Sequence, residues 1–105
     1  MNEAIKNHIA KYNQLNKWPI DEESLIETIT EANEIWSCNE EEYRHWIVYD
    51  AVVEIDGMFI MFGSAKGAGD QGISDAGWEF DPSTICEVMP KTIETTIYVP
   101  KELKN

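Results

Sequence analysis

Asp56-Gly57 stands between two apolar runs, and this dipeptide constrains the chain more than any other stretch. A two-residue hairpin turn needs positive φ at both central positions, which Asp-Gly supplies at little steric cost. The spacing predicts a strand over 43–55, the turn, and a second strand over 58–63. Register follows from the turn: Ile55 faces Met58, Val53 faces Ile60 and Ala51 faces Phe62. Side chains alternate along a strand, so these residues share one sheet face. That face is apolar throughout and requires a cover.

Two helices ahead of the hairpin can provide it. Ile5, Ile9, Tyr12 and Leu15 recur at spacings of three and four, the period of one helical face, which predicts a helix over 2–16. Trp18-Pro19 closes the segment, because a residue before proline is pushed out of helical geometry. Asp21 is a good N-cap for a second helix, with Glu22 and Glu23 in the first turn. Its inner face is expected to run through Leu25, Ile26, Ile29, Ala32, Asn33 and Trp36.

After the hairpin, a glycine-rich acidic stretch over 64–77 reads as a loop, and its length marks it as a candidate binding element. Residues 84–89 read as a short strand. Residues 92–99 show the clearest alternation in the chain, Ile93, Thr95, Ile97 and Val99 against Thr92, Glu94, Thr96 and Tyr98, and predict a strand paired with 84–89. The expected fold is α+β: two N-terminal helices packed on one face of a mainly antiparallel sheet of about four strands, in one domain over 1–105.

Charge narrows the function. Twenty acidic residues against 8 basic ones give a formal net charge of −12, which disfavours nucleic acid and anionic membrane surfaces and favours a basic partner. No lysine or arginine lies between Lys17 and Arg44, a window holding nine carboxylates. The expected binding residues are Glu23, Glu27, Glu31, Glu34, Glu40, Glu41 and Glu42, forming an outward strip continued from the second helix, with Asp70 and Asp75 from the glycine-rich loop. Arg44 reads as a local ion-pair partner for Glu40, Glu41 and Glu42.

Chemistry-bearing motifs are absent. Lys66-Gly67-Ala68-Gly69 lacks the Gly-Lys-Ser/Thr ending and following helix of a phosphate loop. Asp70, Asp75, Glu79 and Asp81 do not follow calcium-loop spacing, and Cys38, Cys86, His8 and His45 lack paired zinc spacing. Cys86 reads as packing material, and Ser64, Ser74 and Ser83 have no nucleophile-elbow setting. The expectation is a non-catalytic protein without cofactor or metal. Two unpaired cysteines and a start without a basic, then apolar, leader add the expectation of a cytoplasmic protein.

The cadence of Trp78-Glu79-Phe80-Asp81, Ile85-Cys86-Glu87-Val88 and Tyr98-Val99-Pro100-Lys101 resembles small uncharacterised accessory proteins of tailed bacteriophages, over roughly residues 46–101. The resemblance implies a non-structural product of the infected host cytoplasm that binds a host or phage component, and it carries over no site residues. The leading expectation is an acidic protein that docks on a basic protein surface. Its sharpest form is an inhibitor or nucleic-acid mimic, with carboxylates standing where the phosphates of a nucleic acid would lie on a nucleic-acid-binding protein. A second reading is a self-associating module, monomer or homodimer, using the sheet face of Trp46, Val48, Val52, Phe59 and Met61. A third is a small-molecule-binding protein or enzyme using the 64–77 loop.

Overall fold

In the computed structural model, which describes residues 1–67 and 79–101, helix α1 (Glu3–Leu15) starts where Asn2 Oδ1 accepts a 2.9 Å hydrogen bond from the Ile5 N–H. Ile5 and Ile9 turn inward as their spacing requires, but Leu15 is 70% exposed and Asn13 takes the inward position instead. The helix ends in a Schellman arrangement. Lys17 adopts positive φ (62°), its N–H bonds the Gln14 carbonyl at 3.1 Å, and the Trp18 N–H bonds the Asn13 carbonyl at 2.8 Å. Helix termination thus falls before Trp18-Pro19.

Helix α2 (Glu22–Glu31) is capped by Asp21, whose carboxylate accepts 2.9 Å bonds from both the Ser24 N–H and the Ser24 hydroxyl. Those bonds, the backbone one foremost, hold the Asp21 carboxyl below the ordinary value of 3.8. A depressed folded value means that the stabilisation is present above the unfolded aspartate value and is lost as pH falls through the folded one. Asp21→Asn keeps the accepting oxygen but not the charge. Its urea midpoint is therefore expected to fall less steeply than that of the wild type as pH drops below about 3.9; parallel acid profiles would show that the cap is not charge-dependent.

The four strands, β1 (Glu34–Glu42), β2 (Trp46–Ile55), β3 (Met58–Gly67) and β4 (Cys86–Val88), form one antiparallel sheet in sequential order. With the helices ahead of it the arrangement is α+β. The central hairpin has the predicted register, Ile55 opposite Met58, Val53 opposite Ile60 and Ala51 opposite Phe62. Asp56 and Gly57 both have positive φ, 47° and 87°. Ile5, Ile9, Leu25 and Ile29 pack with Ala51, Val53, Ile55, Ile60, Phe62 and Ile85 in the core. His8 Nε2 meets the Ile55 carbonyl at 2.8 Å, tying α1 to the hairpin end of β2.

Four expectations are corrected. The second helix stops at Glu31, with Ala32 extended (ψ 156°), and Ile35 and Trp36 belong to β1. An open edge on β2 is the larger force here, since pairing with 34–42 completes a ladder that two more helical turns would leave empty. The first strand of the hairpin starts at Trp46, with residues 43–45 forming the β1–β2 turn closed by a 2.8 Å bond from the Tyr43 N–H to the Trp46 carbonyl. β3 runs past Gly63 to Gly67, because Ser64, Ala65, Lys66 and Gly67 continue the ladder opposite Tyr49, Val48, Ile47 and Trp46. The rest of the glycine-rich stretch, 68–77, lies outside the described residues.

The strand predicted over 92–99 does not form. β4 has three residues, because Pro82–Thr84 is a 3₁₀ turn that Asp81 caps through the Ser83 N–H at 2.9 Å. Three residues are too short a template for an eight-residue partner. Residues 89–101 carry no regular structure and are exposed throughout.

Candidate functional site

Glu23, Glu27 and Glu31 are four residues apart on α2 and all exposed, so they rise along one helix face at about 6 Å intervals. The expected strip does not continue from them along the helix. Glu34, Glu40, Glu41 and Glu42 sit on β1, where a register shift between Cys38 and Glu41 sets Glu41 opposite Val48 and Glu42 opposite Ile47. Neighbours in a strand point to opposite faces, so the acidic run divides across the sheet edge. Asp70 and Asp75 lie outside the described residues.

The carboxylates also differ in what holds them. Glu40 pairs with Lys66 at 3.6 Å, an exposed contact that contributes about 0–1 kcal/mol. Lys66 also lies 5.4 Å from the Tyr49 ring centroid. Arg44, expected in that pairing, is in no ion pair among the described residues; the β1–β2 turn carries it past Glu40, while β3 brings Lys66 alongside. Glu41 accepts a 3.0 Å bond from the Tyr43 hydroxyl, which raises the phenol above its ordinary 10.0. Asp50 accepts a 2.8 Å bond from Asn39 Nδ2. Among the described residues, Glu23, Glu27, Glu31 and Glu54 have no side-chain hydrogen bond or ion pair.

Three of those four line one groove. Glu27 and Glu31 on α2 and Glu54 near the end of β2 line a groove of about 670 Å³ whose other wall includes Tyr12, Trp18 and Ile35. The αL turn at Lys17 throws Trp18 back over α1, where its ring meets Tyr12 edge-on at 5.9 Å. Beneath lies Asn13, 0% exposed. Its Nδ2 donates to the Pro19 carbonyl and its Oδ1 accepts from the Thr28 hydroxyl, both at 2.9 Å. The amide thereby joins α1, the interhelix turn and α2, fixing the wall that carries Trp18 against the wall that carries Glu27 and Glu31.

Such a groove pairs aromatic faces with unneutralised carboxylates, and no lysine or arginine lines it. It suits a cation on an apolar stem, since a guanidinium or ammonium gains from ring faces as well as from carboxylates. A second concavity of about 350 Å³ is also acidic, but its Glu41, Asp50 and Asp81 already accept hydrogen bonds from Tyr43, Asn39 and Ser83. Among the described residues, no three His, Cys, Asp or Glu side chains group as metal ligands, and no helix is long and apolar enough to cross a membrane.

Sequence reasoning missed Tyr12, Trp18 and Glu54 as groove residues and Asn13 as their support. Tyr12 fits the apolar stripe, and Trp18 reads as a helix stop. Glu54 joins α2 only through the fold. Comparison with family models, curated proteins and solved structures found no match.

Proposed function

We propose that this is a non-catalytic acidic binding protein whose groove receives a lysine or arginine side chain from a basic protein surface. One observation carries the reading: Glu27, Glu31 and Glu54 line the same groove as Tyr12 and Trp18, and no lysine or arginine lines it. Glu23 extends the negative face by a further helical turn. In the sharpest form, the partner is a nucleic-acid-binding protein and the α2 carboxylates occupy phosphate positions on it. Complementary charge then steers association and makes it salt-dependent.

The test compares two triple variants of equal charge. Calorimetric titration with an arginine-rich peptide is expected to show binding that Glu27→Gln/Glu31→Gln/Glu54→Gln weakens by about tenfold or more, corresponding to a loss of about 1.4 kcal/mol. Glu79→Gln/Glu87→Gln/Glu94→Gln, outside the groove, is expected to weaken it far less. Equal losses would reduce the effect to net charge and sink the site. So would an affinity unchanged between low and high salt, since the screening length contracts from about 30 Å at 0.01 M to about 3 Å at 1 M.

A further inference from the structure

Residues 92–99 have the strongest strand pattern in the chain, yet among the described residues nothing pairs with them. Ile93, Ile97 and Tyr98 are 76%, 75% and 95% exposed, and no hydrogen bond ties this segment to the sheet. Alternating β-branched residues left in water without ladder partners are a strand lacking its sheet.

The sheet has a vacancy of matching length. β1, nine residues long, is the outermost strand, and its far edge pairs with no described strand. The arm cannot reach that edge in its own molecule. β4 lies at the opposite end of the order β1-β2-β3-β4, so the slot beyond β1 is four strand spacings away, about 19 Å. Only Met89, Pro90 and Lys91 separate β4 from Thr92, a reach of about 13 Å.

Charge selects the partner. β1 carries Glu34, Glu40, Glu41 and Glu42 without a basic residue, whereas the arm carries Lys91 and Lys101 at its two ends and only Glu94 between. Two β1 edges would oppose like charges, which is destabilising. The arm instead brings a lysine to each end of β1, to Glu34 at one and Glu42 at the other, whichever direction it runs.

We propose that residues 91–101 form a strand in trans: the arm of one copy adds to the β1 edge of a second copy, and the exchange is reciprocal about a two-fold axis. The product is an arm-exchanged homodimer with a five-stranded sheet in each half. The arm seats on the backbone edge of β1, whereas the groove's carboxylates lie on α2 and the end of β2.

Light scattering of the full chain across a concentration series is expected to approach twice the 12.0 kDa chain mass, with backbone amides 92–99 protected from hydrogen exchange in the dimer. Thr95→Pro and Thr96→Pro, tested separately, remove N–H groups that point to opposite sides of an extended arm, so one of them faces β1, and that variant is expected to be a folded monomer. Lys91→Glu/Lys101→Glu and, separately, Glu34→Lys/Glu42→Lys are each expected to weaken dimerisation by roughly tenfold. Mixing these two charge-altered proteins restores association, because each arm then meets an edge of opposite sign. A wild type that stays monomeric throughout the series, or a dimer indifferent to both proline variants, would overturn the proposal; the second result would point to the sheet face away from the helices, where Trp36 is exposed. Failure to restore association on mixing would overturn the choice of β1 as the acceptor.

Discussion

Asn13→Asp is expected to destabilise the fold by about 3–5 kcal/mol at neutral pH, a large effect for a change of one atom type on the same skeleton. Asn13 is 0% exposed, and its Nδ2 donates to the Pro19 carbonyl. A carbonyl can only accept, which fixes the amide orientation and makes the NH₂ group irreplaceable by a carboxylate. An aspartate there would be a buried anion pointing an oxygen at another oxygen, with no cation among its described neighbours. Burial and that repulsion raise its folded pKa, so the protonated acid is favoured, and its O–H can restore the bond to Pro19. With the folded value above the unfolded one, the native state holds the extra proton. The deficit against wild type is therefore smallest below the unfolded value of about 3.9 and grows as pH rises through the raised folded value. Urea midpoints for both proteins across this range test it. A variant within about 0.5 kcal/mol of wild type at neutral pH would show that position 13 is hydrated and the helix pair is not latched there. Thr28→Val, which removes the donor to Oδ1, is expected to cost only about 1 kcal/mol.

What the sequence disclosed follows from which signals are local. Asp56-Gly57 encodes its own geometry, and the register it sets propagates to Ile60 and Phe62 without help from the rest of the chain. The caps at Asn2 and Asp21 are likewise local. β1 was not legible, because Ile35 and Trp36 fit the end of a helix as well as the start of a strand. Asn39 and Glu40–Glu42 are weak strand formers that enter the sheet only because β2 offers them a ladder. The split of the acidic run has the same origin: Glu41 and Glu42, expected to continue the strip beyond the helix, alternate on a strand and so point to opposite faces of the sheet. Glu54 shows the opposite limit, being legible as an exposed strand residue but not as lining the same groove as Glu27 and Glu31, which lie more than twenty positions away.

Ile60→Ala and Ile97→Ala make the second expected result, because the two residues look alike in sequence and differ completely in surroundings. Each sits in a strand-like run, Ile60 in the apolar Met58-Phe59-Ile60-Met61-Phe62 and Ile97 in the alternating Thr95-Thr96-Ile97-Tyr98-Val99. Ile60 is 0% exposed, opposite Val53 and inside the cluster that both helices cover. Ile97 is 75% exposed. Truncating Ile60 removes buried carbons and leaves a cavity between sheet and helices, which costs about 2–5 kcal/mol. That is a large share of the 5–15 kcal/mol that holds an ordinary domain together. Truncating Ile97 removes surface that water already covers and should change stability by about 0.5 kcal/mol or less, measured where the chain is dilute enough to be monomeric. At higher concentration the same substitution is expected to lower the dimer mass, since the side chain then packs on a second copy. Urea unfolding of both variants at low concentration separates the cases: a loss at Ile97 comparable to that at Ile60 would mean that the arm folds back on its own sheet, and the strand pattern of 92–99 would then need no partner in trans.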